Sequence, residues 1–252
     1  MVIHSMQTKN IQFDLIQAEV KNGIGRITLN RAKSLNAINL PMVRFLNQTL
    51  SQWQQDDSVK EVRIRGSNKN GPFGAFCAGG DIRFFHEAAC AGNPELEDFF
   101  TEEYSLNFLI ANYKKPYIAF MDGIVMGGGM GISQGASLRI VTENSLLAMP
   151  ETGIGLFPDV GGGYFLSRCP GFTGEFLGLT GQVIKSADAI ALGLADCFIE
   201  SHLLVEIFDS SELISKMQTF DNKNLQKQSE LQSILLDQLT DINYCFSAKN
   251  IH

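Results

Sequence analysis

The stretch from Gly123 to Leu138 constrains this chain more than any other. It is the longest run without a charged residue, and six of its positions are glycine, three of them consecutive at Gly127-Gly128-Gly129. It is too short and too glycine-rich for a helix that spans a bilayer. Glycine lets one main chain approach another, or a ligand, with no Cβ in the way. We therefore read the segment as buried backbone. The chain is 44% hydrophobic and 19% charged, which supplies an ordinary globular core around it. Its 252 residues suit one large domain or one domain with an appendage.

Local patterns place the elements. Ile16–Val20 and Ile24–Leu29 flank Asn22-Gly23, a hairpin signal. Leu40, Val43, Leu46 and Leu50 share a face of a helix over Leu40–Trp53. Glu61–Arg65 reads as a strand, Gly66 to Gly80 as a loop, and Ile82–Ala89 and Glu95–Ala111 as helices. Short strands are expected at Tyr117–Met121, Leu138–Val141 and Leu146–Met149, and helices at Gly162–Ser167 and Ala187–Leu192, the latter capped by Ser186. Strands alternating with helices predict an α/β sheet with crossover connections. No internal repeat is visible. After His202 glycine disappears and polar helical patterns follow, at Leu203–Met217 and Asn222–Leu239. The expected division is a core over 11–202 and a helical C-terminal segment over 203–252.

Several chemistries are disfavoured. A formal net charge of -7 argues against nucleic acid as the main partner, though not against a phosphorylated small ligand. The five cysteines are odd in number, widely spaced and form no C-x-x-C, which disfavours a disulfide framework or a zinc site and points to a reducing compartment. No signal-peptide pattern precedes Asn10, so a soluble, cytoplasmic protein is expected, without membrane association. No phosphate-binding loop, dinucleotide fingerprint or metal-ligand cluster occurs, and no cofactor or metal is expected. Gly131-Ile132-Ser133-Gln134-Gly135 matches G-x-S-x-G, but a poor strand precedes it and only His202 and His252 follow it. Ser133 therefore reads as a packing residue.

Carboxylates and backbone amides remain. Phe76-Cys77-Ala78-Gly79-Gly80-Asp81 is a small-residue turn opening a helix, and Asp122 to Gly131 is a second glycine turn. Two such amides aimed at one point would hold a developing oxyanion. Glu151 and Asp159 stand in a third segment, Met149 to Gly163, among apolar and glycine residues. Burial would raise the pKa of one of them, as acid–base chemistry requires. Asp159 could instead cap the helix that follows.

At these residues, together with Asn30-Arg31, Asn36-Ala37 and the stretch Leu179 to Asp196, the chain resembles the crotonase (enoyl-CoA hydratase/isomerase) superfamily, over about Ile11 to Leu204. Glu102-Glu103-Tyr104, Met126 to Gly131 and Met149 to Phe165 are similar to its 3-hydroxyisobutyryl-CoA hydrolase branch. The resemblance implies a ClpP-like spiral of stacked ββα units with a helical appendage that runs further in that branch, and an oligomer as an open possibility. It implies a hydrolase (a thioesterase) acting on a short 3-hydroxyacyl-CoA, foremost 3-hydroxyisobutyryl-CoA, within valine catabolism. Carried over, the oxyanion hole is the amides of Ala78 and Gly128, catalysis falls to Glu151 and Asp159, and the substrate meets Glu103, Gly128, Glu151, Asp159, Gly79, Gly80 and Asp81. Arg26, Arg31 and Lys33 are candidate cations for coenzyme A phosphates, with the adenine near Ala37 and Ala78–Asp81. Hydratases of the superfamily carry a second glutamate where this chain has Gly131, which weighs against water addition. A hydratase or isomerase on a short enoyl-CoA, and a binding protein without turnover, stay open as alternatives.

Overall fold

The computed structural model describes residues 10–211, 213 and 232–247. The described residues open with β1 (Asn10–Phe13), β2 (Ile16–Lys21) and β3 (Ile24–Leu29). Asn22 and Gly23 turn the β2–β3 hairpin with φ of 54° and 78°, the pair of positive values that a tight two-residue hairpin needs. The helix α1 (Leu40–Gln55) follows. The Asn39 side chain caps it by accepting from the Met42 amide at 3.1 Å, and the expected face of Leu40, Val43, Leu46 and Leu50 is buried. Then come β4 (Glu61–Gly66), α2 (Ile82–Ala91) and α3 (Glu95–Ala111). The chain continues through β5 (Tyr117–Met121), β6 (Ile124–Met126), α4 (Gly128–Gly131), β7 (Leu138–Val141) and β8 (Leu146–Ala148). Next are α5 (Gly162–Leu166), α6 (Thr173–Thr180), β9 (Ile184–Lys185), α7 (Ser186–Ala191) and β10 (Cys197–Phe198).

These strands make a seven-stranded sheet in the order β1-β2-β3-β4-β5-β7-β10 and a three-stranded sheet in the order β6-β8-β9. From β3 onward the neighbours in the large sheet are parallel. A repeat absent from the sequence is present in the backbone. β5 in the large sheet leads to β6 in the small sheet and then to α4, and β7 leads likewise to β8. β4 starts the same cycle, because Cys77 pairs with Val125 of β6 before α2 begins. The expected α/β class holds, with successive ββα turns wound around a core that runs from Ile16 to Ile242.

Past residue 203 the described parts are α8 (Leu204–Asp209), α9 (Ile234–Asp237) and α10 (Leu239–Phe246). Of the helix expected over Leu203–Met217, positions 212 and 214–217 lie outside the described residues, as do positions 222–231 of the one expected over Asn222–Leu239. Leu204, Ile207 and Phe208 pack on Ile118, Phe120 and Ile140 of the large sheet. The fully buried Arg63 donates to the carbonyl oxygens of Ile207, Phe208 and Ser210, fixing α8 there. Ser186 does not cap α7. It is the helix's first residue, and its hydroxyl donates to the Thr142 carbonyl oxygen instead. Among the described residues no helix is long and apolar enough to cross a membrane.

One buried polar residue ties the N-terminal strands to the loop that leads into α2. Asn36, fully buried with φ of 56°, donates to the carbonyl oxygens of Ser67 at 2.8 Å and Ala75 at 2.7 Å and accepts from the Arg31 amide at 2.8 Å. Replacing it leaves two buried carbonyls and the part-buried Arg31 amide without this partner. Asn36→Ala should lower the unfolding free energy by about 3 kcal/mol in urea titration. A loss below about 0.5 kcal/mol would show that the loop is held by other means.

Candidate active site

Backbone pairing brings two glycine segments together. The Cys77 amide donates to the Ile124 carbonyl at 2.9 Å, and the Cys77 carbonyl accepts from Met126 at 3.0 Å. Beyond that bridge the segments Gly79-Gly80 and Gly127-Gly128 lie in contact. A Cβ on Gly79 would stand 3.6 Å from the Gly128 nitrogen, and one on Gly128 would stand 3.3 Å from the Gly80 nitrogen. The Gly128 amide opens α4, where a helix has no internal partner to offer. The Gly80 amide donates to no acceptor among the described residues. Both glycines line a cleft of about 160 Å³, with Ile82, Phe85, Phe100 and Leu156 as its apolar walls.

This arrangement corrects the assignment of Ala78 as an amide donor. The Ala78 N–H donates to the Leu35 carbonyl at 3.0 Å, so it is not open to an acyl oxygen. Leu35 and Asn36 both sit in left-handed conformation, which turns that carbonyl towards residue 78. Ala78 still lines the cleft, but Gly80 is the donor that the geometry pairs with Gly128.

Three carboxyl groups meet at the same cleft. Glu103 belongs to the buried face of α3 with Phe99, Leu106 and Ile110, and is 2% exposed. Its Oε1 lies 2.6 Å from the point where Gly128 would carry a Cβ, and Oε1 has no partner among the described residues. Glu151 begins a 3-10 turn (Glu151–Ile154) after β8 and is 7% exposed. Its Oε1 lies 2.6 Å from the corresponding point on Gly127, and its Oε2 is likewise unpartnered. Asp159, half-buried, accepts a hydrogen bond from the Tyr104 hydroxyl at 2.7 Å. It does not cap α5, whose N-cap is Gly161 with no side-chain bond. Burial pushes Glu103 up to about 8, with the charges of Asp159 and Glu151 adding to the rise. Burial also lifts Glu151 to about 7, helped by Asp159, and raises Asp159 itself. The cleft thus holds carboxyl groups that can store and exchange a proton near neutral pH.

Other expected site residues fall elsewhere. The Asp81 carboxylate is taken by Arg31 at 2.7 Å and by the α2 cap on Phe84, so it braces the cleft from outside. That pair also removes Arg31 from the candidate phosphate cations. Arg26 is buried and donates to the Asp209 carbonyl, turned towards α8. Lys33 is exposed and makes no ion pair among the described residues, so it alone of the three is uncommitted. Ser133 is fully buried with its hydroxyl donating to the Gly129 and Met130 carbonyls, as a packing residue does. Tyr104 and Gly80 have roles that sequence reasoning did not give them. Tyr104 directly follows Glu103, yet nothing in the sequence marks Asp159 as its partner.

Comparison with known proteins follows the same lines. The profile of a family described as enoyl-CoA hydratase/isomerase matches residues 24–252. A Xenopus tropicalis protein named "3-hydroxyisobutyryl-CoA hydrolase, mitochondrial" is 44% identical over 90% of this chain and 60% of its own length. A Rattus norvegicus protein of the same name is 42% identical over 98% of this chain and 66% of its own length. The chain therefore spans less than two thirds of the length of these relatives. Among solved structures, a carnitinyl-CoA dehydratase from Mycobacterium thermoresistibile superposes with a TM-score of 0.81 at 35% identity, covering 95% of this chain and 68% of that one. An enoyl-CoA hydratase from Rhodobacter sphaeroides 2.4.1 gives 0.80 at 34%, covering 93% and 66%.

The raised pKa of Glu103 has a consequence for stability. A carboxyl group held above its ordinary 4.5 contributes its full stability below 4.5 and loses it as pH climbs through about 8. Glu103→Gln, neutral throughout, should match the wild type near pH about 4 and melt a few degrees higher near pH about 9. A melting difference that does not change with pH would contradict the buried, crowded carboxyl.

Proposed function

Since the chain belongs to the enoyl-CoA hydratase/isomerase family, we propose that it hydrolyses a short 3-hydroxyacyl-CoA thioester, with 3-hydroxyisobutyryl-CoA as the substrate. The observation that carries this reading is the meeting of two main-chain donors, Gly80 and Gly128, with the buried carboxyl of Glu151. The relatives at 44% and 42% identity support the same substrate through their names. With it comes a place in valine catabolism.

In this reading the thioester oxygen sits between the Gly80 and Gly128 amides, forming an oxyanion hole. One such donor contributes about 10²–10³ in rate. Glu151, ionised, attacks the carbonyl carbon and forms a mixed anhydride as the C–S bond breaks. Asp159, bonded to Tyr104, delivers a proton to the departing thiolate of coenzyme A. Water then splits the anhydride, which frees the acid product and returns Glu151 to its carboxylate, and the proton that water gives up restores Asp159. Glu103 keeps its proton at neutral pH because its pKa stands near 8, and it presents a donor towards the acyl group. Lys33 is the cation we assign to a coenzyme A phosphate. We keep the cytoplasm as the proposed location, beside the mitochondrial label of the relatives. A homo-oligomer remains a proposal.

Glu103 and Glu151 facing one cleft also fit addition of water to an enoyl-CoA, and Gly131 provides no carboxylate for it. Crotonyl-CoA hydration, measured beside release of coenzyme A from 3-hydroxyisobutyryl-CoA, separates the two. We expect release to dominate. No turnover of either substrate would leave a binding protein.

Glu151→Gln should cut release of coenzyme A by about 10³ with the fold intact, whereas Ser133→Ala should stay within about twofold of wild type. Equal losses in both variants would return the serine to consideration. The rate should rise with pH through about 7 as Glu151 ionises and fall through about 8 as Glu103 gives up its proton. A flat profile across that window would remove both groups from the rate-limiting step.

A further inference from the structure

The turn that carries Asp159 is built with a residue that its shape disfavours. The Gly162 amide closes the turn on the Asp159 carbonyl, and its two central positions, Val160 and Gly161, have φ of 41° and 88°. Turns with positive φ at both central positions draw on glycine, asparagine and aspartate, because a β-branched side chain crowds the main chain there. The next three positions, Gly161 to Gly163, are all glycine. Valine at 160 therefore carries a backbone strain that glycine would not. What it adds in return is a side chain, and the surroundings show what that side chain does.

Val160 is buried against α4. Its Cβ lies 2.6 Å and its Cγ2 3.1 Å from the point where Gly131 would carry a Cβ, so it fills the space which that glycine leaves. Two separate spaces meet at this residue. One is the catalytic cleft of about 160 Å³. The other is a cavity of about 670 Å³, walled by Phe108, Phe157, Tyr164 and Phe165. Asp159 and Val160 are the two residues that line both. Asp159 is held in place by the Tyr104 hydroxyl and serves the proposed chemistry. Val160 is the apolar part of the same partition, and the chemistry makes no use of it.

A side chain so placed limits how far an acyl group can extend. A short acyl group fits within the cleft, between the amides of Gly80 and Gly128 and the valine. A longer chain would have to pass Val160 to reach the larger cavity. The valine is packed against the main chain of α4, which cannot give way without a cost. Were the valine side chain absent, only the bare backbone of Gly131 would stand behind it, and the aromatic walls of the cavity could receive the chain.

We propose that Val160 is the residue that restricts the substrate to short acyl groups, as the apolar part of a wall between the catalytic cleft and the adjoining aromatic cavity. This rests on the thioesterase reading above and adds the basis of its size selectivity.

The test compares kcat/KM for 3-hydroxyisobutyryl-CoA and for 3-hydroxyoctanoyl-CoA in wild type, Val160→Gly and Val160→Ala. The wild type should prefer the short thioester by at least about tenfold, and Val160→Gly should remove most of that preference. The ratio is the readout, because a disturbance of the neighbouring Asp159 would slow both thioesters alike. Val160→Ala should fall between the two, and it covers the case in which glycine loosens the turn. Val160→Gly should melt no lower than Val160→Ala, the reverse of the usual order, because glycine accepts this φ without strain. A glycine variant that melts below the alanine one would mean that position 160 is unstrained, and would count against the proposal. An unchanged preference in folded variants, or a wild type that cleaves both thioesters equally well, overturns the assignment of Val160 alone. Failure of the wild type to cleave either thioester overturns the thioesterase reading, and this inference with it.

Discussion

The close contact between two stretches of bare backbone, Gly79-Gly80 and Gly127-Gly128, is what the rest of the site depends on. It exists because Cys77 pairs with β6 as a strand would, on one side of a small sheet that β8 and β9 complete. Any Cβ at 127 or 128 would run into a carboxylate oxygen at 2.6 Å. Glycine there serves the approach of Glu151 and Glu103 as much as the turn itself. The same few ångströms thus combine hydrogen-bond donors for a developing negative charge with groups able to carry a proton.

That combination has an electrostatic cost which the fold sustains. Three carboxyl groups share one half-apolar cleft with no cation paired to Glu103 or Glu151 among the described residues. Burial, with their mutual repulsion added to it, keeps protons on groups that would otherwise be ionised at neutral pH. Arg31 is instead fixed on Asp81, where it steadies the start of α2. The chain holds its positive charges outside the cleft, and so leaves the carboxyl groups unneutralised.

Much of this was legible in the sequence, and what was not has a common cause. The Asn22-Gly23 hairpin, α1 and α3 follow from local rules, since turn conformation and helix faces depend on neighbours in sequence. The strands β6, β9 and β10 are two or three residues long and exist only through pairing with distant partners. The helix α6 was missed because Gly174 and Gly178 weaken its pattern, although Gly174 is needed for close approach to the Leu166 backbone. Within the site, Glu103, Gly128, Glu151 and Asp159 converge as expected. Ala78 does not donate there, because the direction of an amide is set by conformation and by Leu35, far back along the chain. The Tyr104–Asp159 bond is likewise a tertiary fact, invisible until α3 is laid beside the segment that precedes α5.

The central claim is that one acyl oxygen is gripped by the amides of residues 80 and 128. A crystal structure of the Glu151→Gln protein with an intact 3-hydroxyacyl-CoA bound would test it most directly. The account requires the thioester oxygen within about 2.7–3.1 Å of both nitrogens. A thioester bound with its oxygen on neither amide, or only on other groups, would contradict it.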